Sequence, residues 1–366
     1  MALVDPIARF ASWRREFHPS RLPYARFALT LVVGAAGAVL FLQARLPLPW
    51  MLGPMVLAMV IGLAGVPLLI PQAVRSPMLI VLGTLVGSTA TPGLLSRIPE
   101  WLLSLSGLVL VLIVATAAGY VYFRRVAGHD AATAYFASVP GGLTEMILQS
   151  EIGGGDQRQV ALAHAVRITV VVLLVPFLVQ SVSGVSLGAR SPGGSPLLAL
   201  PPGDIVWFLG TFTAGLILAS LLRPATALFL APLLLSAVLH GSGATDFAVP
   251  SEAGLVAQII MGLSLGCRFF GMKLRLVGVS LLRAIGASIL LLIVAFAVAA
   301  LVHGVSDEGL IPLFLAYAPG GVAEMSLIAL ALHTEVAFVV LHHLVRLLLV
   351  SLFAGNMFRL LLRRQS

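Results

Sequence analysis

Long apolar runs, nearly free of charge, follow one another along almost the whole chain. They lie at about 26–44, 50–69, 76–95, 101–123, 160–180, 205–222, 225–240, 252–270, 279–302 and 336–358. A helix of ~20 such residues spans the ~30 Å hydrocarbon core of a bilayer. Only 10% of the residues are charged and 59% are hydrophobic, with a mean hydropathy of +1.07. A soluble domain carries about 25% charge and would leave a surface of bare hydrocarbon at this composition. Soluble, disordered and fibrous classes are therefore excluded, and the fold class is an all-α polytopic membrane protein. The net charge of +8 needs no nucleic acid, because membrane proteins gather Arg and Lys in cytoplasmic loops. The single cysteine, Cys267, excludes a disulfide framework within one chain.

The runs organise the chain into a basic amphipathic N-terminal segment (1–25), a first membrane repeat (26–180), a linker (181–204), a second membrane repeat (205–358) and a basic tail (359–366). The first segment carries Arg9, Arg14, Arg15 and Arg21 without a small-residue cleavage site, and reads as a cytoplasmic lead-in. The linker, SVSGVSLGARSPGGSPLLALPPGD, is rich in Ser, Gly and Pro.

The two membrane segments are copies. Ala137, Pro140, Gly141, Gly142, Glu145, Met146, His164 and Arg167 recur in the same order as Ala316, Pro319, Gly320, Gly321, Glu324, Met325, His343 and Arg346, all at one constant interval. Gly83 and Gly87 recur as Gly262 and Gly266 at that interval, and Arg45 and Pro54 as Arg223 and Pro232 at an interval shorter by a single position. Their relative orientation follows from the loop charges. Two further segments, 131–152 and 310–334, are apolar but interrupted by Pro-Gly-Gly. If they cross, 12 basic residues lie inside and 8 outside; if they enter and leave on one side, the division is 17 to 3. The second arrangement gives five crossings per copy, an odd number, so the copies are expected to be inverted repeats, each with one broken or re-entrant element. The pieces 131–139 and 143–152 are each about 14–15 Å long as helix, half a membrane. Proline lacks a donor and glycine permits a tight reversal, so the break falls at 140–142 and 319–321. The alternative is a kinked crossing helix with glycine used for packing.

Glu145 and Glu324 fall in the first turn after each break, where the helix dipole favours a carboxylate. His164 and Arg167, like His343 and Arg346, share one face of their helix through i,i+3 spacing. An arginine in hydrocarbon costs ~2.5–3.5 kcal/mol on insertion scales, so these side chains turn inward and find partners. Two partners are open at this point. Glu145–Arg167 and Glu324–Arg346 could be ion pairs that pin each broken segment to the next helix. Alternatively, the clusters meet near the midplane as a substrate and coupling-ion site, with histidines able to exchange protons. His342, beside His343, has Ala163 as its counterpart and reads as a packed residue. Arg268 reads as snorkelling, Cys267 as packing and Asn356 as helix-terminal. No P-loop, dinucleotide, zinc or nucleophile-elbow motif occurs.

PGGLTEM at 140–146 and PGGVAEM at 319–325, each followed by H-x-x-R on the next helix, resemble the AbrB-type duplicated bacterial membrane protein family. That family also carries an ammonia monooxygenase label. The resemblance covers residues 26–358. It implies a bacterial inner-membrane location, and it brings in regulation of gene expression, since one member is regarded as a regulator. The soluble DNA-binding AbrB proteins share only the name. An oxygenase metal site needs clustered ligands, and the eight histidines are scattered except for His342 and His343, which point ~100° apart on a helix.

The resulting expectation is a secondary active transporter of a small polar or charged solute, proton- or cation-coupled and not an enzyme. Its site would comprise Pro140, Gly141, Gly142, Glu145, His164 and Arg167 with Pro319, Gly320, Gly321, Glu324, His343 and Arg346. No metal, cofactor or nucleic acid is expected; the partners are a small-molecule substrate, a coupling ion (proton or monovalent cation), the lipid bilayer and, in a homo-oligomer, a second copy. Both termini are expected in the cytoplasm. A membrane protein regulating gene expression indirectly is the alternative, and a membrane monooxygenase the third class.

Overall fold

The computed structural model describes residue 16 and residues 23–184, 194–222, 226–272 and 274–361. Most of the segments 1–25 and 359–366, part of the linker and Arg223 lie outside the described residues. The described chain is helical, apart from one isolated bridge between Ser195 and Pro250.

The first half contributes α1 (Tyr24–Gln43), α2 (Pro49–Leu63), α3 (Gln72–Gly87), α4 (Leu102–Arg125), α5 (Ala131–Ser138), α6 (Leu143–Ile152) and α7 (Gln157–Ser183). The second contributes α8 (Pro202–Leu222), α9 (Ala227–Gly241), α10 (Ser251–Gly266), α11 (Leu274–His303), α12 (Leu310–Tyr317), α13 (Val322–Ala331) and α14 (Val336–Leu361). Helix starts recur at the interval of the sequence matches, or one position short of it, except that α11 begins earlier than α4 would imply.

Among the described residues seven helices are long and apolar enough to cross a membrane: α1, α4, α7, α8, α10 with the turn after it, α11 and α14. Their outer faces carry Ile113, Val206, Leu282 and Leu348, each more than 60% exposed. Rows of bare aliphatic side chains of this kind suit lipid and not water. The chain is thus a multi-pass membrane protein. The expected runs 50–69, 76–95 and 225–240 are realised as helices of 15 or 16 residues. Such a helix is about 22–24 Å long, short of the hydrocarbon thickness. α2 stops at Leu63, and a turn and a non-helical stretch up to Pro71 carry the chain to α3.

The helices gather into two compact units, and each unit draws corresponding pieces from both halves. One contains α1–α3, α8–α10 and residues 326–337; the other contains α4–α7, α11, α12, residues 318–325 and 338–361.

The first unit is held by helices that touch backbone to backbone. A Cβ on Gly83 or Gly87 would run into the carbonyl oxygens of Phe229 and Leu233, so α3 lies against α9 with nothing between. Equally, Gly262 and Gly266 sit on the carbonyls of Met51 and Met55, bringing α10 against α2. Gly37 and Gly53 face each other across α1 and α2, while Gly215 meets Pro232 across α8 and α9. Small residues four apart permit this proximity where no water drives association.

In the second unit, α4 packs on α5 and α11, and α7 on α5, α6, α11 and α12. An aromatic cluster of Tyr135, Phe136 and Phe358 fills the space between α5 and α14, with the Tyr135 hydroxyl donating to the Ala354 carbonyl at 2.9 Å.

Candidate functional site

Both Pro-Gly-Gly sequences break their helices as expected, leaving half-helices of 8 and 10 residues on either side. In the first element the two ends come together. Asp156 N–H donates to Thr133 Oγ1 at 2.7 Å, and Gly155 lies against the Thr133 amide. The start of α5 and the end of α6 are therefore neighbours, and α5–α6 is a helical hairpin; a kink in one crossing helix does not describe it. Asp130 opens α5 by accepting from Thr133 N–H at 2.9 Å. Asp130→Ala should cost about 1 kcal/mol of stability through this lost cap, measurable by chemical denaturation. In the second element Pro312 stands at the Thr133 position and Gly309 at that of Asp130, so neither closing bond is available.

The glycines of the breaks serve a purpose other than the expected one. Gly142 has φ −69°, and none of the four adopts a positive φ. Gly141 and Gly320 are needed for close approach instead. A Cβ on Gly141 would meet Val350 Cγ1 at 2.6 Å, and one on Gly320 would meet Val171 Cγ1 at 3.0 Å. Val171 and Val350 are themselves counterparts, separated by the same interval as the two breaks. Each break thus leans on the long helix of the other half, a reciprocal contact of the kind a twofold axis generates.

An α-helix ends with carbonyls that have no intrahelical donor. Here those ends lie within the protein, and the arginines of the next long helix, with His343, add donors to those of the Gly141 and Gly320 amides. Arg346 gives Nη1 to the Ala318 carbonyl at 2.7 Å and Nη2 to the Gly320 carbonyl at 2.6 Å. His343 Nε2 donates to the Leu315 carbonyl at 3.0 Å, so the final turn of α12 and the bend after it are tied to α14. In the first half Arg167 Nη1 donates to the Val139 carbonyl at 3.1 Å, while His164 Nδ1 donates within its own helix to Val160 at 3.1 Å. Positive charge at a helix C-terminus also opposes the negative end of its dipole.

The ion pairs considered above do not form. Among the described residues no carboxylate lies within ion-pairing distance of Arg167 or Arg346. Glu145 turns to α14, accepting from the Ser351 hydroxyl at 2.7 Å. Glu324 folds back over Gly321, the residue preceding α13. Charge arithmetic pairs Glu with Arg; geometry gives each arginine to backbone oxygen. All twelve expected site residues nonetheless fall in one compact unit.

Buried polar groups remain unpartnered here: His164 Nε2, His343 Nδ1 and the Nε atoms of both arginines. Ser351 is a site residue that the sequence did not single out, because its counterpart is Val172 and repeat matching passes over it. A second missed group is the buried network in which the Tyr317 hydroxyl donates to the Ser104 carbonyl at 2.6 Å and the Ser104 hydroxyl bonds His342 Nε2 at 2.9 Å. It makes His342 the packed residue expected. No three His, Cys, Asp or Glu side chains among the described residues come together as a metal-ligand set.

Fold and site together define a helical, multi-pass membrane protein built around two broken helices. The chain belongs to the AbrB family, described as "Transition state regulatory protein AbrB", whose sequence model it matches over residues 50–362. It is similar to "Uncharacterized protein YhjN" of Bacillus subtilis (strain 168), with 27% identity over 90% of this chain and 92% of that protein. It is also similar to "Putative regulator AbrB" of Escherichia coli (strain K12), with 24% identity over 90% of this chain and 95% of that protein.

Proposed function

We propose that the protein is a secondary active transporter of a small polar or charged solute. It is not an enzyme, and its binding site lies where the two broken elements meet α7 and α14. One observation carries this reading: the reciprocal contacts Gly141–Val350 and Gly320–Val171, which set both breaks, with their irregular backbone, against the two long helices. Irregular backbone at membrane depth is tolerated where it is buried or lines a cavity, and discontinuous helices near the midplane are a recurrent way of building a transport site. The recurrence of element boundaries and the loop charges support inverted repeats, with both termini in the cytoplasm and the chain in the bacterial inner membrane. Glu145 and Glu324 are the coupling-ion candidates, for a proton or a monovalent cation, since neither is engaged by an arginine. A homo-oligomer is compatible with this arrangement.

The test is uptake into proteoliposomes by counterflow, with a panel of labelled carboxylates, amines and zwitterions. Glu145→Gln and Glu324→Gln should each lower flux at least tenfold, while melting temperature and yield stay at wild-type values. Flux unaffected by either substitution would remove the carboxylates from the mechanism.

The family description and the name of the Escherichia coli relative favour a second reading, control of gene expression. In this chain such control would be indirect, through the transported solute. Deletion that alters expression, with no flux of any panel member in liposomes, would select it.

A further inference from the structure

A groove opens within the second unit, between α4 and α14. The two helices meet at their starts, where Trp101 packs edge-on against Phe338 at 5.4 Å and the Ser104 hydroxyl bonds His342 Nε2 at 2.9 Å. From Val109 onward a cavity of about 560 Å³ lies between them, within the ~300–1,000 Å³ range of small-molecule sites. Val109, Ile113 and Tyr120 line it from α4, and Val350, Phe353 and Met357 from α14. Tyr135 of α5 and Val139 just after it complete the lining.

The mouth of this groove faces lipid. Ile113 is 63% exposed and Phe353 55%, both on helices long and apolar enough to cross a membrane. Apolar walls at that depth call for an apolar occupant. Along α4 the lining runs from Val109 to Tyr120, about 16–17 Å of helix. One leaflet of a bilayer contributes ~15 Å of hydrocarbon, whereas a crossing helix from a partner needs the full ~30 Å. The length therefore fits an acyl chain of one leaflet and is too short for a partner helix.

One end of the groove is charged. Val109, Ile113, Thr116 and Tyr120 are followed at the same helical spacing by Arg124, which continues the lining face one turn further. Arg124 and Arg125 form the exposed last turn of α4. Arg124 is steadied by a bond from Nη1 to the His129 carbonyl at 2.7 Å, which leaves its Nη2 available. Among the described residues no carboxylate pairs with either arginine; Asp130, the nearest in sequence, is committed to Thr133 at the start of α5. The helices run in the same direction from their contact at Trp101 and Phe338, so the exposed Arg359 of α14 stands at this end too.

We propose that the groove between α4 and α14 binds an anionic phospholipid. One acyl chain lies against Ile113, Phe353 and Met357, and the phosphate sits at Arg124 and Arg125. Arginine holds phosphate oxygens through paired N–H donors, and basic residues at a helix end draw anionic lipid to that leaflet. Tyr120 stands between chain and headgroup, the level at which tyrosine is enriched in membrane proteins. Val139 accepts from the Gly141 amide and Val350 crowds Gly141, so the bound chain rests against the first break. This site requires a membrane protein and does not depend on the transporter reading.

The experiment is native mass spectrometry of the delipidated full-length protein in detergent. It is titrated separately with palmitoyl-oleoyl-phosphatidylglycerol and palmitoyl-oleoyl-phosphatidylcholine, which share chains and differ in charge. One phosphatidylglycerol should be retained per chain, with at least fivefold preference over phosphatidylcholine. Arg124→Gln with Arg125→Gln, both at exposed positions, should reduce that preference below twofold. Ala117→Trp, at an exposed position on the groove wall, should lower retention of both lipids at least fivefold; Ala117→Phe serves if the tryptophan variant does not fold. The proposal is overturned if phosphatidylglycerol is retained no better than phosphatidylcholine, or if the double glutamine variant keeps the preference. It is equally overturned if filling the groove at Ala117 leaves lipid retention unchanged. A dimer that becomes a monomer in that variant, with retention unchanged, would assign the groove to a second copy instead.

Discussion

Arg346→Ala should destabilise the protein by about 3–5 kcal/mol, the range found when one partner of a buried charged interaction is removed. Arg346 is buried, and it donates to the Gly320 carbonyl at 2.6 Å and to the Ala318 carbonyl at 2.7 Å, which also accepts from the Gly320 amide at 2.8 Å. A hydrogen bond from a charged group is worth ~1.5–3 kcal/mol, and each buried carbonyl left without a donor carries its own penalty. Relief from burying a guanidinium offsets part of this loss. Arg346→Lys should recover less than half, because an ammonium does not bridge two carbonyls with a planar fork. Arg167→Ala should cost less, since a single bond at 3.1 Å is lost. Glu324→Gln should be nearly neutral for stability, because the carboxylate pairs with neither arginine. Urea denaturation in mild detergent, with the four variants side by side, reads these differences. If Glu324→Gln costs as much as Arg346→Ala, a carboxylate–guanidinium staple holds the break and the backbone assignment is wrong.

That contrast marks where the sequence stops being informative. The half-helices at Ala131–Ser138 and Leu143–Ile152 fall within a residue of the pieces expected from Pro140-Gly141-Gly142, because proline and the loss of apolar periodicity are local signals. Membrane class was equally legible, since hydropathy is summed over ~20 residues and tolerates local error. The partners of Arg167 and Arg346 were not. A sequence displays side chains, and the groups these arginines bind are backbone oxygens, which every residue carries and no composition reveals. The same blindness explains the glycines. Their conformational freedom is a property of the residue type, whereas the approach of Val350 to Gly141 is a property of the packed structure. Helix length was misjudged at 50–69 for a related reason: an apolar run shows that a segment avoids water, and a non-helical stretch before Pro71 does so as well as a helix.

Gly83→Ala and Gly262→Ala should each destabilise the first unit by about 3 kcal/mol or more, the upper part of the range for overpacking a tight core. A Cβ on Gly83 would clash with the Phe229 carbonyl oxygen and lie 2.9 Å from Pro232 Cγ; one on Gly262 would clash with the Met51 carbonyl oxygen. Neither obstacle is a flexible side chain that can swing aside. Both are main-chain atoms inside a helix, so the two helices must separate along their whole line of contact. Separation at Gly262 also pulls Gly266 from the Met55 carbonyl one turn later, and at Gly83 it pulls Gly87 from that of Leu233. Because the contacts are reciprocal between the halves, the two substitutions should cost similar amounts. Gly210→Ala provides the opposite case. Gly210 lies in α8 with nothing within 4 Å of a Cβ, and the substitution should stabilise by about 0.5–1 kcal/mol through helix propensity alone. Melting temperatures of the three variants in the same detergent test the ordering. A Gly262→Ala protein as stable as Gly210→Ala would mean that α2 and α10 do not approach at this distance. Equal losses at Gly83 and Gly262, with a gain at Gly210, would tie both crossings to the same small-residue geometry in the two halves of the chain.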